Sequence, residues 1–231
     1  MNIVYSLSRN LYPYLKGAIR SVLDHNDDVK IYVLAEDDEL PFEIPCEHEI
    51  LNVSGQTYFP PENPNCKSQF TYMAMMRLAT PLLIPEDRAI QLDIDTIVTD
   101  SLLPIWETDL EGKWLSWCPE HNGQYKPFGP KYYNFGVCVL NLKQLREDNA
   151  PAFMIRTLNR IAVPYLDQDI MNMYAVPEKC TDMGVRFNES FCCGYTGNPA
   201  VVHFAGFPDW YENTTMPRWQ FRAMYADGGQ T

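Results

Sequence analysis

The fold class is indicated by residues 2–35, which read NIVYSLSRNLYPYLKGAIRSVLDHNDDVKIYVLA. A mostly apolar segment occupies residues 2–7, apolar side chains then recur at helical spacing over residues 10–25, and residues 29–35 are again apolar. This order predicts a strand, a helix and a second strand. Because a helix between two strands usually joins them in parallel, the opening of the chain favours an α/β fold.

The rest of the chain continues the alternation of strands and helices. Strands are predicted at residues 50–53, 90–93, 114–117, 136–142 and 201–204, and helices at residues 68–79, 101–106, 143–162 (with a break near 149–151) and 167–174. The helix over residues 68–79 is expected to end before Pro81, and Asp100 is expected to cap the helix that follows it. No repeat or low-complexity linker interrupts the pattern. We therefore expect a single domain over residues 1–231, with an irregular extension at 208–231.

Composition and charge restrict the possible partners. The formal net charge of -12 disfavours nucleic acid and anionic membrane surfaces. No apolar run reaches the ~18 residues of a transmembrane helix, and residues 1–8 lack the basic and apolar regions of a signal peptide. The 7 cysteines are odd in number and lack framework spacing. We therefore expect a cytoplasmic protein with reduced thiols and no integral membrane segment.

Two aspartates follow the strand predicted at residues 90–93. Asp93 and Asp95 are separated by one residue, and residues i and i+2 of a strand point to the same face. Two carboxylates side by side repel each other unless a cation lies between them, and Mg²⁺ and Mn²⁺ prefer such oxygen ligands. A phosphate ligand of this anionic protein would also need a local cation. By itself the pair is equally consistent with two solvated carboxylates.

Four segments in order carry a family resemblance. They are LDIDT at residues 92–96, YYNFGV at 132–137, LDQDIMN at 166–172 and VHFAG at 202–206. Together they resemble glycosyltransferase family 8, which contains glycogenin and bacterial lipopolysaccharide galactosyl- and glucosyltransferases. The resemblance runs from residue 3 to about residue 210. It implies a GT-A fold, a nucleotide-sugar-binding α/β fold in which helices flank a mixed, mostly parallel central sheet.

The resemblance also implies an activity and a metal site. The activity would be transfer of a hexose from a nucleotide sugar, usually a UDP-sugar, to a glycan or other hydroxyl acceptor, with retention of the anomeric configuration. The metal, Mn²⁺ or Mg²⁺, would be held by Asp93, Asp95 and His203, and it would stabilise charge on the leaving diphosphate. Without the other segments, His203 would be interpreted as a structural residue at a strand end.

Further residues would contact the donor if the resemblance holds. Asn134, Asp167 and Gln168 would lie beside the donor sugar, where Asp167 would hold sugar hydroxyls and Gln168 would face the reacting carbon. The other donor contacts would come from Asn10, Ser8, Arg77, Asp93 and Gly206. Because an amide is a poor nucleophile, Gln168 fits attack by the acceptor from the leaving-group side. A double displacement through Asp167 stays open.

Two positions depart from the family pattern. Ser8 stands where an aspartate that contacts uracil is common, so another base is conceivable. After His203, family members usually have a lysine that binds the diphosphate, but in this chain Asp209 takes that position or the position is deleted. The candidates to replace the lysine are Arg218, Arg222, Lys126 and Lys131.

Two other functions are therefore considered. A phosphatase of the haloacid dehalogenase type also uses two aspartates at a strand end, but Ile97 occupies the place of its usual hydroxyl residue. A catalytically weak or inactive sugar-nucleotide-binding protein on the same fold is the other alternative, because of Ser8 and the absent lysine. The acceptor is not specified by the sequence. Aromatic candidates for stacking on it are Trp114, Trp117, Tyr125, Phe128, Trp210, Tyr211 and Trp219.

Overall fold

The computed structural model describes residues 1–121 and 131–206. The strands are β1 (Asn2–Ser6), β2 (Lys30–Ala35), β3 (Glu47–Asn52), β4 (Arg88–Leu92), β5 (Thr96–Val98), β6 (Leu115–Pro119), β7 (Tyr133–Asn141), β8 (Cys180–Asp182) and β9 (Val201–His203). The helices are α1 (Tyr12–Leu23), α2 (Tyr72–Met76), α3 (Thr80–Leu83), α4 (Leu103–Trp106), α5 (Leu142–Glu147), α6 (Ala150–Leu158) and α7 (Leu166–Ala175). Short 3-10 turns lie at Arg9–Leu11, Arg77–Ala79 and Val185–Phe187.

The strands form a large mixed sheet and a small ribbon. The large sheet has the order β3-β2-β1-β4-β7-β6-β8, and the ribbon pairs β5 with β9. Neighbours from β3 to β4 are parallel, β7 is antiparallel to both of its neighbours, and β6 and β8 are parallel. The predicted mixed, mostly parallel sheet is therefore confirmed. Because β1, β2 and β4 are parallel, the loops that follow them lie at one edge of the sheet.

Helices cover both faces of the large sheet, because successive residues of a strand point to opposite faces. Ile3 and Tyr5 of β1 pack with α1 on one face, whereas Val4 packs on the other face with α2 and α5–α7. All three side chains are essentially buried. Burying one such aliphatic side chain stabilises the fold by about 1.5–3 kcal/mol. The core therefore fixes the edge from which the candidate site residues project.

Two local predictions are wrong. The helix expected over residues 68–79 begins at Tyr72, and Pro81 does not end it but lies in the first turn of α3, where its missing N–H is no loss. Asp100 does not cap α4, which begins at Leu103. Its carboxylate instead accepts the backbone N–H of Ser101 and pairs with Arg186.

The aspartate pair also differs from its predicted setting. Strand β4 ends at Leu92, so Asp93 and Asp95 lie in the turn between β4 and β5 rather than on one face of a strand. The strand argument for their proximity is therefore wrong. The turn brings them together because β5 leaves the large sheet and pairs with β9.

Several sequence expectations concern residues outside the described ranges. They are the extension at 208–231, the position of Asp209, three candidate cations (Lys126, Arg218 and Arg222), and the aromatic candidates Tyr125, Phe128, Trp210, Tyr211 and Trp219. The other two aromatic candidates, Trp114 and Trp117, are buried in the core and are not available to stack on an acceptor. None of the helices in the described ranges combines the length and apolar character needed to cross a membrane.

Candidate functional site

Three potential metal ligands meet where the ribbon joins the large sheet. Thr96 of β5 lies opposite His203 of β9, which brings the imidazole over the Asp93–Asp95 turn. His203 Nε2 is 3.3 Å from Asp95 Oδ1 and 3.8 Å from Asp93 Oδ2. One ligand atom from each of the three residues lies within 4.8 Å of the others. Two carboxylates and an imidazole are a suitable donor set for a divalent cation such as Mn²⁺.

Gly136 of β7 makes this close grouping possible. Its carbonyl accepts the backbone N–H of Asp93 at 2.7 Å. A Cβ atom at this position would lie 2.7 Å from Asp93 Oδ2 and 2.8 Å from His203 Nε2, and closer still to His203 Cε1. Only glycine therefore lets β7 approach Asp93 and His203 this closely. The donor set of two carboxylates and an imidazole fits a bound divalent cation.

The electrostatics of the grouping favour a positive charge at its centre. His203 is buried, and burial opposes a charged imidazolium. Asp95 and then Asp93 outweigh that effect, so the pKa of His203 lies above its usual value. A divalent cation would satisfy the same carboxylates and leave the ring neutral for ligation.

Arg77 joins the metal-ligand candidates to the candidate sugar-binding residue Asp167. Its Nε and Nη2 donate to the two oxygens of Asp167 at 2.6 and 3.1 Å, and Nη1 donates to Asp93 Oδ1. The guanidinium lies 5.2 Å from the centre of the Phe135 ring. Burial raises the pKa of Asp167 to about 6, against the opposing effect of Arg77. In this structure Arg77 therefore orients two acidic residues.

Gln168 and Asn134 lie on either side of a carboxylate that the sequence analysis did not select. Gln168 Oε1 accepts the backbone N–H of Phe135 at 2.9 Å, and its Nε2 lies 3.3 Å from Glu120 Oε1. Asn134 Nδ2 donates to the same oxygen at 3.1 Å. Burial raises the pKa of Glu120, although both hydrogen bonds oppose the rise. Glu120 thus holds the two amides in place.

The sequence did not indicate two further residues of this hydrogen-bonded group, Asn188 and Tyr132. Asn188 Oδ1 lies 2.8 Å from His203 Nδ1, and Asn188 Nδ2 donates to Asn134 Oδ1 at 3.0 Å. Tyr132 accepts from Gln168 Nε2 at 3.1 Å and donates to buried Asp169. An acidic residue directly after a buried apolar strand was a signal for Glu120, because the aspartate pair has the same setting. Asn188 lies in an irregular segment and gave no comparable signal.

The remaining predicted donor contacts lie outside this hydrogen-bonded group. Ser8 and Asn10 follow β1 at the same edge of the sheet; Asn10 is exposed, and Ser8 Oγ is buried without a hydrogen-bond partner in the described part of the chain. Gly206 is exposed three residues after His203 and has φ +85, which favours glycine. Lys131, a candidate for the missing lysine, pairs with Asp182 at 3.2 Å instead.

The known proteins that resemble this chain in sequence are named as glycosyltransferases. A family model described as glycosyl transferase family 8 matches residues 2–211. Glycosyltransferase GlyB of Streptococcus pneumoniae is 25% identical over 219 residues, which cover 91% of this chain and 52% of that protein. A putative glycosyltransferase of Haemophilus influenzae is 27% identical over 201 residues, which cover 74% of this chain and 58% of that protein. The chain spans about half the length of these curated relatives.

Solved structures share the fold. An active-site mutant of LgtC aligns with a TM-score of 0.77 and 23% identity, over 100% of this chain and 97% of that chain. The galactosyltransferase LgtC in complex with donor and acceptor sugar analogues aligns with a TM-score of 0.75 and 22% identity over the same fractions. Glycosyltransferase GlyE of Streptococcus pneumoniae gives 0.76 and 19%, over 100% of this chain and 60% of that chain. The predicted GT-A fold is confirmed.

Proposed function

Because this chain belongs to glycosyl transferase family 8, we propose that it transfers a hexose from a UDP-sugar to a hydroxyl group of a glycan or glycoconjugate. The transfer would retain the anomeric configuration and require a divalent cation, Mn²⁺ or Mg²⁺. Family membership excludes the phosphatase alternative. The observation that carries the proposal is the grouping of Asp93, Asp95 and His203 at the carboxyl edge of the sheet, within 4.8 Å of one another.

The three ligands would hold the cation, and the chain orients them beforehand. Arg77 fixes one oxygen of Asp93 and leaves Oδ2 towards His203. When bound, a divalent cation supplies Lewis-acid stabilisation of the charge that develops on the leaving diphosphate. The protein itself carries a net charge of -12. Without the cation, the anionic diphosphate would therefore be repelled by the protein.

Asp167, Gln168 and Asn134 would bind and orient the donor sugar. The Asp167 carboxylate is held by two nitrogens of Arg77, and this pairing makes it a weaker nucleophile because it stabilises the negative charge. The Gln168 amide is fixed by the Phe135 N–H and Glu120, so its carbonyl keeps one lone pair for the reacting carbon. These contacts support attack from the leaving-group side, with double displacement through Asp167 as the second route.

The second candidate is a catalytically weak or inactive sugar-nucleotide-binding protein on the same fold. It is favoured by the pairing of Lys131 with Asp182, since this lysine is then engaged elsewhere and does not replace the missing phosphate-binding lysine. Such a protein would bind UDP-sugars without releasing UDP.

The test is UDP release from a panel of UDP-sugars, with Mn²⁺ and with a chelator, with and without glycan acceptors. We expect release that the chelator abolishes and Mn²⁺ restores. Asp95→Asn should lower the rate by at least about 100-fold, because it removes stabilisation needed in the transition state. The matched control is Asp27→Asn, an exposed carboxylate before β2 at the opposite edge. Donor binding without UDP release across the panel would favour the binding protein.

A further inference from the structure

We propose that Asn188 is a positioning residue that fixes the tautomer of His203, so that Nδ1 carries the hydrogen and the lone pair of Nε2 faces Asp93 and Asp95. This inference rests on the proposed function, because it concerns how one ligand of that metal site is prepared. It extends the site beyond the three ligands to a chain of amides that ends at a backbone group.

The backbone N–H of Gly136 can only donate a hydrogen bond. It lies 3.0 Å from the side-chain oxygen of Asn134. Turning that amide over would put its NH₂ group against this N–H and its oxygen against Glu120 Oε1, at the position now 3.1 Å away. Two donors would then face each other, and so would two acceptors. The orientation of Asn134 is thus determined from both sides.

The orientation of Asn134 determines that of Asn188. The Asn134 oxygen is also 3.0 Å from the Asn188 side chain, which must therefore present its NH₂ group there. The oxygen of Asn188 is left towards the His203 ring, 2.8 Å from Nδ1. Asn188 is completely buried, so bulk water does not compete for these contacts. An amide oxygen accepts, so a hydrogen on Nδ1 completes this contact. Asp95 Oδ1 is the competing acceptor at Nε2, and a cation held between Nε2 and Asp95 removes that competition.

The consequence concerns the other nitrogen of the ring. With the hydrogen on Nδ1, the neutral ring has its lone pair on Nε2, which is the atom 3.3 Å from Asp95 Oδ1. In the other tautomer, Nε2 would donate to Asp95 and block the cation. Metal-ligating histidines usually have their second nitrogen hydrogen-bonded in this way, and loss of such a partner costs about 10–100-fold in metal affinity.

The first measurement is the ¹⁵N chemical shifts of the His203 ring in metal-free wild-type protein at alkaline pH, where the ring is neutral. The signals are assigned by their loss in His203→Gln. We expect the hydrogen on Nδ1. A hydrogen on Nε2 in the wild-type protein would overturn the proposal, and this readout needs neither activity nor a variant of Asn188.

The second measurement is Mn²⁺ affinity, followed by the electron paramagnetic resonance signal of free Mn²⁺. Asn188→Leu removes the acceptor and should weaken Mn²⁺ binding about 10–100-fold, with the hydrogen moving to Nε2. Asn188→Asp keeps an acceptor for Nδ1 but loses the donor to Asn134, so it should retain the Nδ1 hydrogen and more of the affinity than Asn188→Leu. Unchanged Mn²⁺ affinity in Asn188→Leu would overturn the proposal.

The control is Asn26→Leu, which also removes a buried amide. Asn26 donates to the carbonyl of Val22 and accepts from the N–H of Leu102, away from the metal-ligand candidates. It should lower stability and leave Mn²⁺ affinity unchanged, and an equal loss of affinity in this variant would count against a specific role of Asn188. Wild-type protein with the hydrogen on Nδ1 but no Mn²⁺ binding would contradict the proposed function and support the tautomer assignment.

Discussion

Two arginine–aspartate pairs in this protein have the same two-pronged geometry and opposite surroundings. On the surface, Arg9 donates from Nε and Nη2 to the two oxygens of Asp37, both at 2.7 Å. In the candidate site, Arg77 donates from the same two nitrogens to Asp167. The exposed fractions of the side chains are 67% and 34% in the first pair, against 11% and 1% in the second. Contact geometry alone therefore does not separate a structural pair from a functional one.

The surroundings change the proton affinity of the two carboxylates in opposite directions. The hydrogen bond from Arg9 lowers the pKa of Asp37, whose side chain is partly exposed to solvent. Burial raises the pKa of Asp167 to about 6 even though its arginine partner opposes the rise. Arg77 also donates to Asp93, so the buried pair connects a proposed sugar ligand to a proposed metal ligand. Because this pair is buried, breaking it should cost more stability than breaking the exposed pair.

The largest effect is expected when the buried pair is broken by Arg77→Leu. Asp167 would remain buried without its partner, and removing one member of a buried pair costs about 3–5 kcal/mol of stability. Urea unfolding measures this loss. UDP release should fall as well, because Asp93 and Asp167 lose their orientation.

Arg77→Lys is the control for charge without geometry. A lysine keeps the positive charge but cannot donate to both oxygens of Asp167 in the same planar arrangement. It should recover part of the stability and little of the activity. Wild-type stability in Arg77→Leu would show that the buried pair is no more important than a surface pair.

Gly136→Ala should have the next largest effect. It disturbs Asp93, which is hydrogen-bonded to Arg77 of the buried pair, and it leaves every charged residue in place. The added methyl group must displace Asp93 Oδ2 and the His203 ring. Overpacking of this kind costs about 1–3 kcal/mol, and Mn²⁺ affinity should fall with it. Calorimetric Mn²⁺ titration and urea unfolding measure both losses.

Gly184→Ala is the matched control, since a Cβ at Gly184 meets nothing within 4 Å. It should leave Mn²⁺ affinity unchanged. Equal behaviour of the two alanine variants would contradict the close approach of β7 to the three ligand candidates.

The sequence predicted the order of elements better than the contacts within the site. Apolar periodicity identified β1, α1, β2 and β7 because each of them buries a regular face in the core. It misplaced Asp93 and Asp95 on a strand face, since the turn there depends on β5 pairing with β9, which follows about 100 residues later. Pairing between such distant segments leaves no local pattern.

Contacts that form only in the packed core could not be predicted from the sequence either. Arg77 was expected to contact the donor, and only the packing of α7 against α2 reveals its contact with Asp167. Leu166, just before Asp167, has φ +46, a left-handed backbone that leucine rarely adopts. No pattern of residue types predicts that conformation. The roles of the individual site residues stay predictions.

The opposite pKa shifts of the two aspartates give a smaller, pH-dependent effect. The pKa of Asp167 is higher in the folded than in the unfolded protein, where it is about 3.9, so the folded form holds the proton more tightly. Its contribution to stability is therefore fully present below about pH 4, and is lost as the pH rises through about 6. Asp37 has a lowered pKa, so its contribution is present above its unfolded pKa and is lost as the pH falls.

Side-chain ¹³C NMR titration measures both carboxyl groups in one experiment. We expect a midpoint near 6 for Asp167 and one below the ordinary aspartate value for Asp37. UDP release should decrease as the pH falls through about 6, because a protonated Asp167 no longer holds Arg77 with two charged hydrogen bonds. Equal midpoints for the two groups would contradict the proposed effect of burial.

The smallest effect is expected from Arg9→Ala, which breaks the exposed pair. Water solvates both charged groups once they separate, and many exposed ion pairs contribute nothing measurable to stability. The melting temperature should therefore change little, and the small difference should disappear at high salt because exposed charges are screened. Because Arg9 lies beside Ser8 and Asn10, UDP affinity is measured in parallel. A loss of UDP affinity at unchanged stability would show that this exposed pair positions Ser8 and Asn10 for the nucleotide. Both arginine–aspartate pairs would then serve donor binding despite their difference in burial.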